Sequence, residues 1–177
     1  MPELTQNFDD LYRIYSALFP HTNHTGANRD AIEKSVPAKR GVYLIWRMPT
    51  QQDGHRSVGD RSAADNSSDK QLVYIGCSGK IQKKMVLGGR NVCERLFGAS
   101  TWTPYLFDGK ANLFRHGPGP KASNGRPAFY HESIPINEIE ISVIATPSDI
   151  APSALEHMLI QGYIKQRGDL PEVNQEI

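Results

Sequence analysis

Little in this sequence could hold a fold together covalently. Its 177 residues include two cysteines, Cys77 and Cys93. Neither sits in a C-x-x-C or C…H ligand spacing, which excludes a disulfide framework and a zinc ribbon and reads as reduced thiols in a cytoplasmic protein. No apolar run approaches the roughly 20 residues a membrane span needs. The opening Met1-Pro2-Glu3-Leu4-Thr5-Gln6 lacks the charged-then-apolar pattern of a secretory signal. Nothing repeats and no internal boundary stands out, so the length fits one domain, 1–177, large enough to bury a core unaided.

A charge of one sign is also missing overall, since the formal net charge is +1. The balance is uneven along the chain. Counting Lys and Arg against Asp and Glu, residues 1–69 carry 8 against 9, residues 70–131 carry 10 against 2, and residues 132–177 carry 2 against 8. A basic middle third is ordinary solvated surface or a face that binds a phosphate backbone.

What is present begins with an amphipathic helix over residues 8–19. Phe8, Leu11, Tyr12, Tyr15, Leu18 and Phe19 fall at helical spacing, with Asn7 as cap and Pro20 as stop. A Thr/Asn/Gly-rich connection follows, holding His21 and His24, whose His-x-x-His spacing alone does not define a metal site. A short helix is expected around Arg29–Ser35. Together these residues form an N-terminal helical extension, about 1–36.

Gly41-Val42-Tyr43-Leu44-Ile45-Trp46 reads as a strand, Val42, Leu44 and Trp46 on one face and Tyr43 and Ile45 on the other. Residues 49–70 are polar and almost free of apolar side chains, a long hairpin insertion placed at about 48–70. The second strand, Leu72-Val73-Tyr74-Ile75-Gly76, follows at once. Then come Ser78-Gly79-Lys80, Lys83, Lys84 and Arg90, and a helix capped by Asn91 and packed through Val92, Leu96 and Phe97, with Arg95 at the edge of its buried stripe.

Residues 109–131 carry Lys110, Arg115, His116, Lys121, Arg126 and His131 with no acid, among Gly-Pro and Asn-Gly turns. This predicts a basic surface loop able to grip phosphates. Ile139-Glu140-Ile141-Ser142-Val143-Ile144 alternates as a third strand would. A last helix, about 153–166, is expected to be capped by Asp149 or Ser153, with Pro152 near its first turn, and to stop at Gly168.

One residue of that last helix is misplaced. On a 100° wheel Leu155, Met158, Leu159, Ile160, Tyr163 and Ile164 form an apolar arc, and Glu156 falls inside it. A carboxylate there is desolvated at a cost of several kcal/mol unless a cation, a hydrogen-bond network or a metal compensates. The plain alternative is an ion pair with an arginine such as Arg95; the functional one is a metal-binding or acid/base group facing a cleft.

Five segments in order resemble the GIY-YIG nuclease superfamily. Gly41-Val42-Tyr43 is similar to the first signature tripeptide and Tyr74-Ile75-Gly76 to the second. Asn91-Val92-Cys93-Glu94-Arg95-Leu96 resembles its N-L-x-x-R-L helix, Glu156-x-x-Leu159-Ile160 its E-x-x-L-I helix, and Pro171-Glu172-Val173-Asn174 its terminal P-x-x-N. The match covers about residues 41–174. The wide separation of Tyr43 from Tyr74 and the long gap from Gly76 to Arg95 look like the restriction-endonuclease branch, and the histidine that often follows the arginine by a turn is missing.

The resemblance implies an α/β (α+β) fold with a small three-stranded antiparallel sheet flanked by helices. It also implies a Mg2+-dependent (or Mn2+-dependent) endonuclease acting on DNA, double-stranded by expectation, without a membrane partner. Glu156 would hold the metal, and Arg95 would clamp the scissile phosphate, with Arg90 as its competitor. Tyr43 or Tyr74 would help deprotonate the attacking water, its phenolate favoured by Lys80 or Arg95. Gly41, Gly76 and Asn174 would serve the scaffold. Lys83, Lys84, Arg90, Lys110, Arg115, Lys121 and Arg126 would bind backbone. The rival reading is a catalytically inactive nucleic-acid-binding module on the same scaffold.

Overall fold

The computed structural model describes residues 6–49, 70–79, 90–98 and 134–174, and the backbone alone of 113–114 and 129–130. The elements in chain order are α1 (Phe8–Leu18), β1 (His21–His24), α2 (Arg29–Ser35), β2 (Gly41–Arg47), β3 (Gln71–Ser78), α3 (Val92–Phe97), β4 (Leu113–Phe114), β5 (Phe129–Tyr130), β6 (Ile139–Ala145) and α4 (Pro152–Arg167). A one-turn 3-10 helix, Ile136–Glu138, leads into β6.

The helix starts follow the asparagines. Asn7 accepts from Asp10 N–H at 2.9 Å and Asn28 from Ala31 N–H at 2.9 Å. Asn91 and Glu94 form a reciprocal capping box at the head of α3, which satisfies two otherwise orphaned donors. The last helix differs from expectation. Its N-cap is Ala151 without a side-chain bond, so neither Asp149 nor Ser153 caps it. Pro152 in its first turn lacks an N–H and so lessens the need for a cap. Gly168 ends it in the left-handed region at φ 84°, its N–H bonded to Ile164 C=O.

Four strands, not three, make an antiparallel sheet in the order β1-β6-β2-β3. The added strand is β1, read from sequence as a connection inside a helical extension. It pairs with β6 from His21↔Ile144 to His24↔Ile141. Its side chains are polar, and side-chain bonds replace the missing apolar signal: Tyr12 Oη to His21 Nε2 at 2.9 Å, His24 Nδ1 to Ser35 Oγ at 3.1 Å, and Ser142 Oγ to Asn23 Oδ1 at 2.7 Å. The basic 109–131 segment, read as a loop, contains the two-residue pairing of β4 with β5.

Helices cover both faces of the sheet. On one, α2 and α3 pack Ile32, Val36, Val92, Leu96 and Phe97 against Tyr43, Ile45, Tyr74, Ile141 and Val143. On the other, α1 and α4 pack Phe8, Leu11, Leu155, Leu159 and Ile160 against Val42, Leu44, Ile75, Cys77 and Ile144. The expected alternation of β2 is therefore observed. Burial on both sides also explains why the polar residues of β6 do not face water: Glu140 is 7% and Ser142 0% exposed. Glu140 meets Lys70 at 2.6 Å and Ser142 accepts from Trp46 Nε1 at 2.9 Å, the pairing that buried polar groups require.

The β2–β3 register slips between Ile45 and Trp46, so that Ile45 opposes Tyr74 and Trp46 opposes Leu72. The extra residue is a β-bulge on β3. It lets Val73 and Tyr74 both enter the α2/α3 core while Leu72 joins the α1/α4 core. No helix among the described residues is long and apolar enough to cross a membrane.

Candidate active site

The two signature glycines are fixed by close approach. A side chain on Gly41 would place Cβ 2.1 Å from Ile144 C=O, breaking the contact of β2 with β6. At Gly76 a Cβ would lie 2.6 Å from Tyr43 Cζ, Tyr43 Oη and Tyr74 Cε1 alike. Gly76 stands directly opposite Tyr43 in the β2–β3 register. Its bare Cα is the floor on which the two rings lie, their centroids 6.0 Å apart and tilted by 36°.

Helix α3 is brought to these rings by a backbone bond from Val92 N–H to Lys39 C=O at 2.8 Å, just before β2 begins. Arg95, exposed on that helix, is near enough to Tyr43 for its positive charge to act on the hydroxyl. The competing Arg90 is exposed at the head of α3, its Nη1 beside Gly98. Of the two arginines, Arg95 is the one that acts on the tyrosines.

From the opposite face, α4 delivers Glu156. Its Oε2 accepts a hydrogen bond from Cys77 Sγ at 2.9 Å. Cys77 follows the second tripeptide and, by the two-residue alternation, points away from Gly76 toward α4. The thiol was read from sequence only as reduced; strand alternation laid against the apolar arc of α4 was the signal for its pairing with Glu156. The carboxylate is only partly buried, and the sequence's two alternatives for it now include a thiol donor.

Tyr43 and Tyr74 are 1% and 4% exposed. Burial pushes the Tyr43 hydroxyl well above the ordinary phenol range; the positive charge of Arg95 opposes this, while the charge of Glu156 reinforces it. Tyr74 is raised for the same first reason, then by Tyr43 and Glu156, again against Arg95. Arg95 acts on both hydroxyls in the direction that favours a phenolate, as expected, but desolvation outweighs it, and both groups are neutral phenols at neutral pH. Tyr43 and Tyr74 lie ring against ring and Cys77 against Glu156, and Arg95 and Glu156 are both within electrostatic reach of the two hydroxyls.

Asn174 closes the outer edge of β3. Its Oδ1 accepts from Ile75 N–H at 2.9 Å and its Nδ2 donates to Ile75 C=O at 2.8 Å. Val173 N–H adds a bond to Val73 C=O at 2.9 Å. One side-chain amide therefore takes the place of a neighbouring strand exactly where the tyrosine-bearing strand would present bare backbone.

Among the described residues no group of three or more His, Cys, Asp and Glu side chains converges as a metal cage. A single carboxylate such as Glu156 still suits Mg2+, which takes one or two carboxylates and leaves other positions to water and phosphate. His21 and His24 are held by Tyr12, Thr22 and Ser35. Lys80, Lys83, Lys84, Lys110, Arg115, Lys121 and Arg126 lie outside the described residues. Comparison with protein-family models, curated proteins and solved structures finds no match.

Proposed function

We propose that this chain is a Mg2+-dependent DNA endonuclease that hydrolyses phosphodiester bonds, of a restriction-type kind, on a GIY-YIG-like scaffold. The observation that carries the reading is the pairing of the Tyr43 and Tyr74 rings over Gly76, with Arg95 and Glu156, from helices on opposite faces of the sheet, both acting electrostatically on their hydroxyls. Arg95 is the exposed member and the one that reaches a phosphate. Its planar fork binds the non-bridging oxygens and stabilises the charge that builds on them. Its charge acts on both tyrosine hydroxyls, so a phosphate held there lies beside the groups that orient the attacking water.

A neutral phenol is a weak base. In this state the hydroxyls of Tyr43 and Tyr74 orient the water by hydrogen bonds, and either takes up its proton only as its charge environment changes. Glu156, steadied by Cys77, holds the divalent ion, Mg2+ or Mn2+. The chemistry such an ion would supply there is neutralisation of charge on the leaving 3′-oxygen. Arg90 and the basic residues of 80–84 and 110–126 supply backbone contacts to double-stranded DNA.

A second reading, a catalytically inactive nucleic-acid-binding module, draws support from the near-complete burial of both tyrosines. Supercoiled plasmid incubated with Mg2+ or with EDTA, using wild type and Glu156→Gln, separates the two. The nuclease nicks or linearises plasmid in Mg2+ only, and Glu156→Gln loses this by about 100-fold or more while still shifting DNA at low salt. DNA shifted but never cut across varied substrates leaves the binding module.

A further inference from the structure

Among the described residues, the buried side-chain atoms without a hydrogen-bond partner are Nε and Nη2 of Arg40 and Oγ1 of Thr146. They are neighbours. Thr146 N–H bonds Arg40 C=O at 3.1 Å, which continues the β2–β6 pairing one residue past Gly41↔Ala145. On the other side Gly79, in the left-handed region at φ 84°, brings its Cα so close that an added Cβ would lie 2.8 Å from Arg40 Nε. Arg40, Thr146 and Gly79 thus form a row across three strands at one end of the sheet.

Nε and Nη2 are the two donors on one side of the guanidinium plane, the pair that grips two oxygens of one anion side-on. Buried N–H groups of a cation bear a large desolvation penalty unless an acceptor meets them. The nearby Thr146 hydroxyl offers a third donor. A carboxylate has two oxygens to give, whereas a tetrahedral phosphate has a third for the hydroxyl. By strand alternation Arg40 shares the face of Val42, and Val42 pairs with Cys77. Diagonal neighbours of an antiparallel pair lie about 7–8 Å apart, so the row borders the Cys77–Glu156 contact.

We infer that Arg40 and Thr146, with the Cβ-free Gly79 beside them, form a phosphate oxyanion site next to the candidate active site, filled by free phosphate or by a phosphodiester of a nucleic-acid backbone. The site stands on its donors alone and is read without cleavage, so it holds or fails separately from the nuclease reading.

The test compares melting temperatures in EDTA, in phosphate, acetate and chloride of equal ionic strength. Wild type melts about 3 °C or more higher in phosphate than in chloride. Arg40→Met, which removes the two buried unpartnered donors and keeps the stem, is at least as stable as wild type in chloride and loses the phosphate rise. Thr146→Val weakens the rise. No rise in wild type, an equal rise in acetate, or an unchanged rise in Arg40→Met overturns the site. Should Arg40→Met fail to fold, Arg40→Lys, which keeps the charge but not the fork, decides: a reduced phosphate rise supports the site and an unchanged one overturns it. A labelled DNA duplex in EDTA then assigns the source. A backbone phosphate lowers the salt slope of binding by about one in Arg40→Met, and a free phosphate leaves it as in wild type while the melting shift is still lost.

Discussion

Replacing Gly76 by alanine adds one methyl group at the most crowded point of the candidate site. Three atoms of two buried rings would lie 2.6 Å from the new Cβ, about 1 Å inside a normal carbon contact. No flexible chain end can yield. Tyr43 is 1% exposed and closely packed with Ile45, Val143 and the α3 core, and Tyr74 is 4% exposed. Overpacking of this kind costs about 1–3 kcal/mol, and in a chain of this size each kcal/mol moves the melting point by about 2–4 °C. Gly76→Ala is therefore expected to melt about 2–12 °C lower, read by circular dichroism and by denaturant midpoint. The source is checked by a double-mutant cycle with Tyr43→Leu, which removes Cζ and Oη from the clash. The pair should recover about 0.5–3 kcal/mol against the sum of the single losses. A Gly76→Ala protein within about 0.5 kcal/mol of wild type, or an additive pair, would show that the rings do not rest on this glycine.

Asn174→Ala leaves the buried N–H and C=O of Ile75 without their partners and should lower unfolding free energy by about 2–5 kcal/mol; a loss below about 1 kcal/mol in urea titration refutes the edge-closing role. Cys77→Val removes the donor to Glu156 and should raise the Mg2+ concentration for half-maximal cleavage by about 10-fold or more with little change in fold, whereas Cys77→Ser restores it; equal Mg2+ dependence in both variants defeats the idea. Because the folded-state Tyr43 and Tyr74 pKa values are raised, the folded chain holds protons that the unfolded chain releases above about pH 10. Their stabilisation is complete below that pH and is lost as pH rises through the folded values. Denaturant titrations above pH 10 should show unfolding free energy falling less steeply in Tyr43→Phe than in wild type, and parallel slopes would contradict the raised pKa.

Local signals made much of this fold legible. Asn7 and Asn91 mark helix starts because a short side-chain carbonyl answers orphaned N–H groups, a demand set within four residues. The face assignment of β2 was legible because its alternation separates two real cores. Strand β1 was not, since His21-Thr22-Asn23-His24 has no apolar pattern; it is a strand because β6 supplies the ladder and distant hydroxyls supply the side-chain partners. The same non-local cause hid the burial of Glu140 and Ser142, which look like the wet side of a strand until α1 covers them. Glu156 stood out because an acid inside an apolar arc violates a local rule, and such violations gather where a site is built. What it meets there, a cysteine on the neighbouring strand, follows from packing of α4 on the sheet.

The electrostatics of the site turn on one opposition. Arg95 and Glu156 act on the same two hydroxyls with opposite sign, and burial, the largest effect, sides with Glu156. Both tyrosines are therefore held neutral chiefly by burial, and the carboxylate's charge adds to it. A positive charge at Glu156 cancels one of the forces that keep the hydroxyls protonated, while an anion at Arg95 cancels the main force that lowers their pKa. In the proposed nuclease a metal ion and a phosphate would thus push the tyrosines in opposite directions, and of the two only the cation would act in the same sense as Arg95. A cation held at Glu156 would therefore offset only a lesser part of what keeps Tyr43 and Tyr74 protonated, and the larger share, the burial of the rings, would remain.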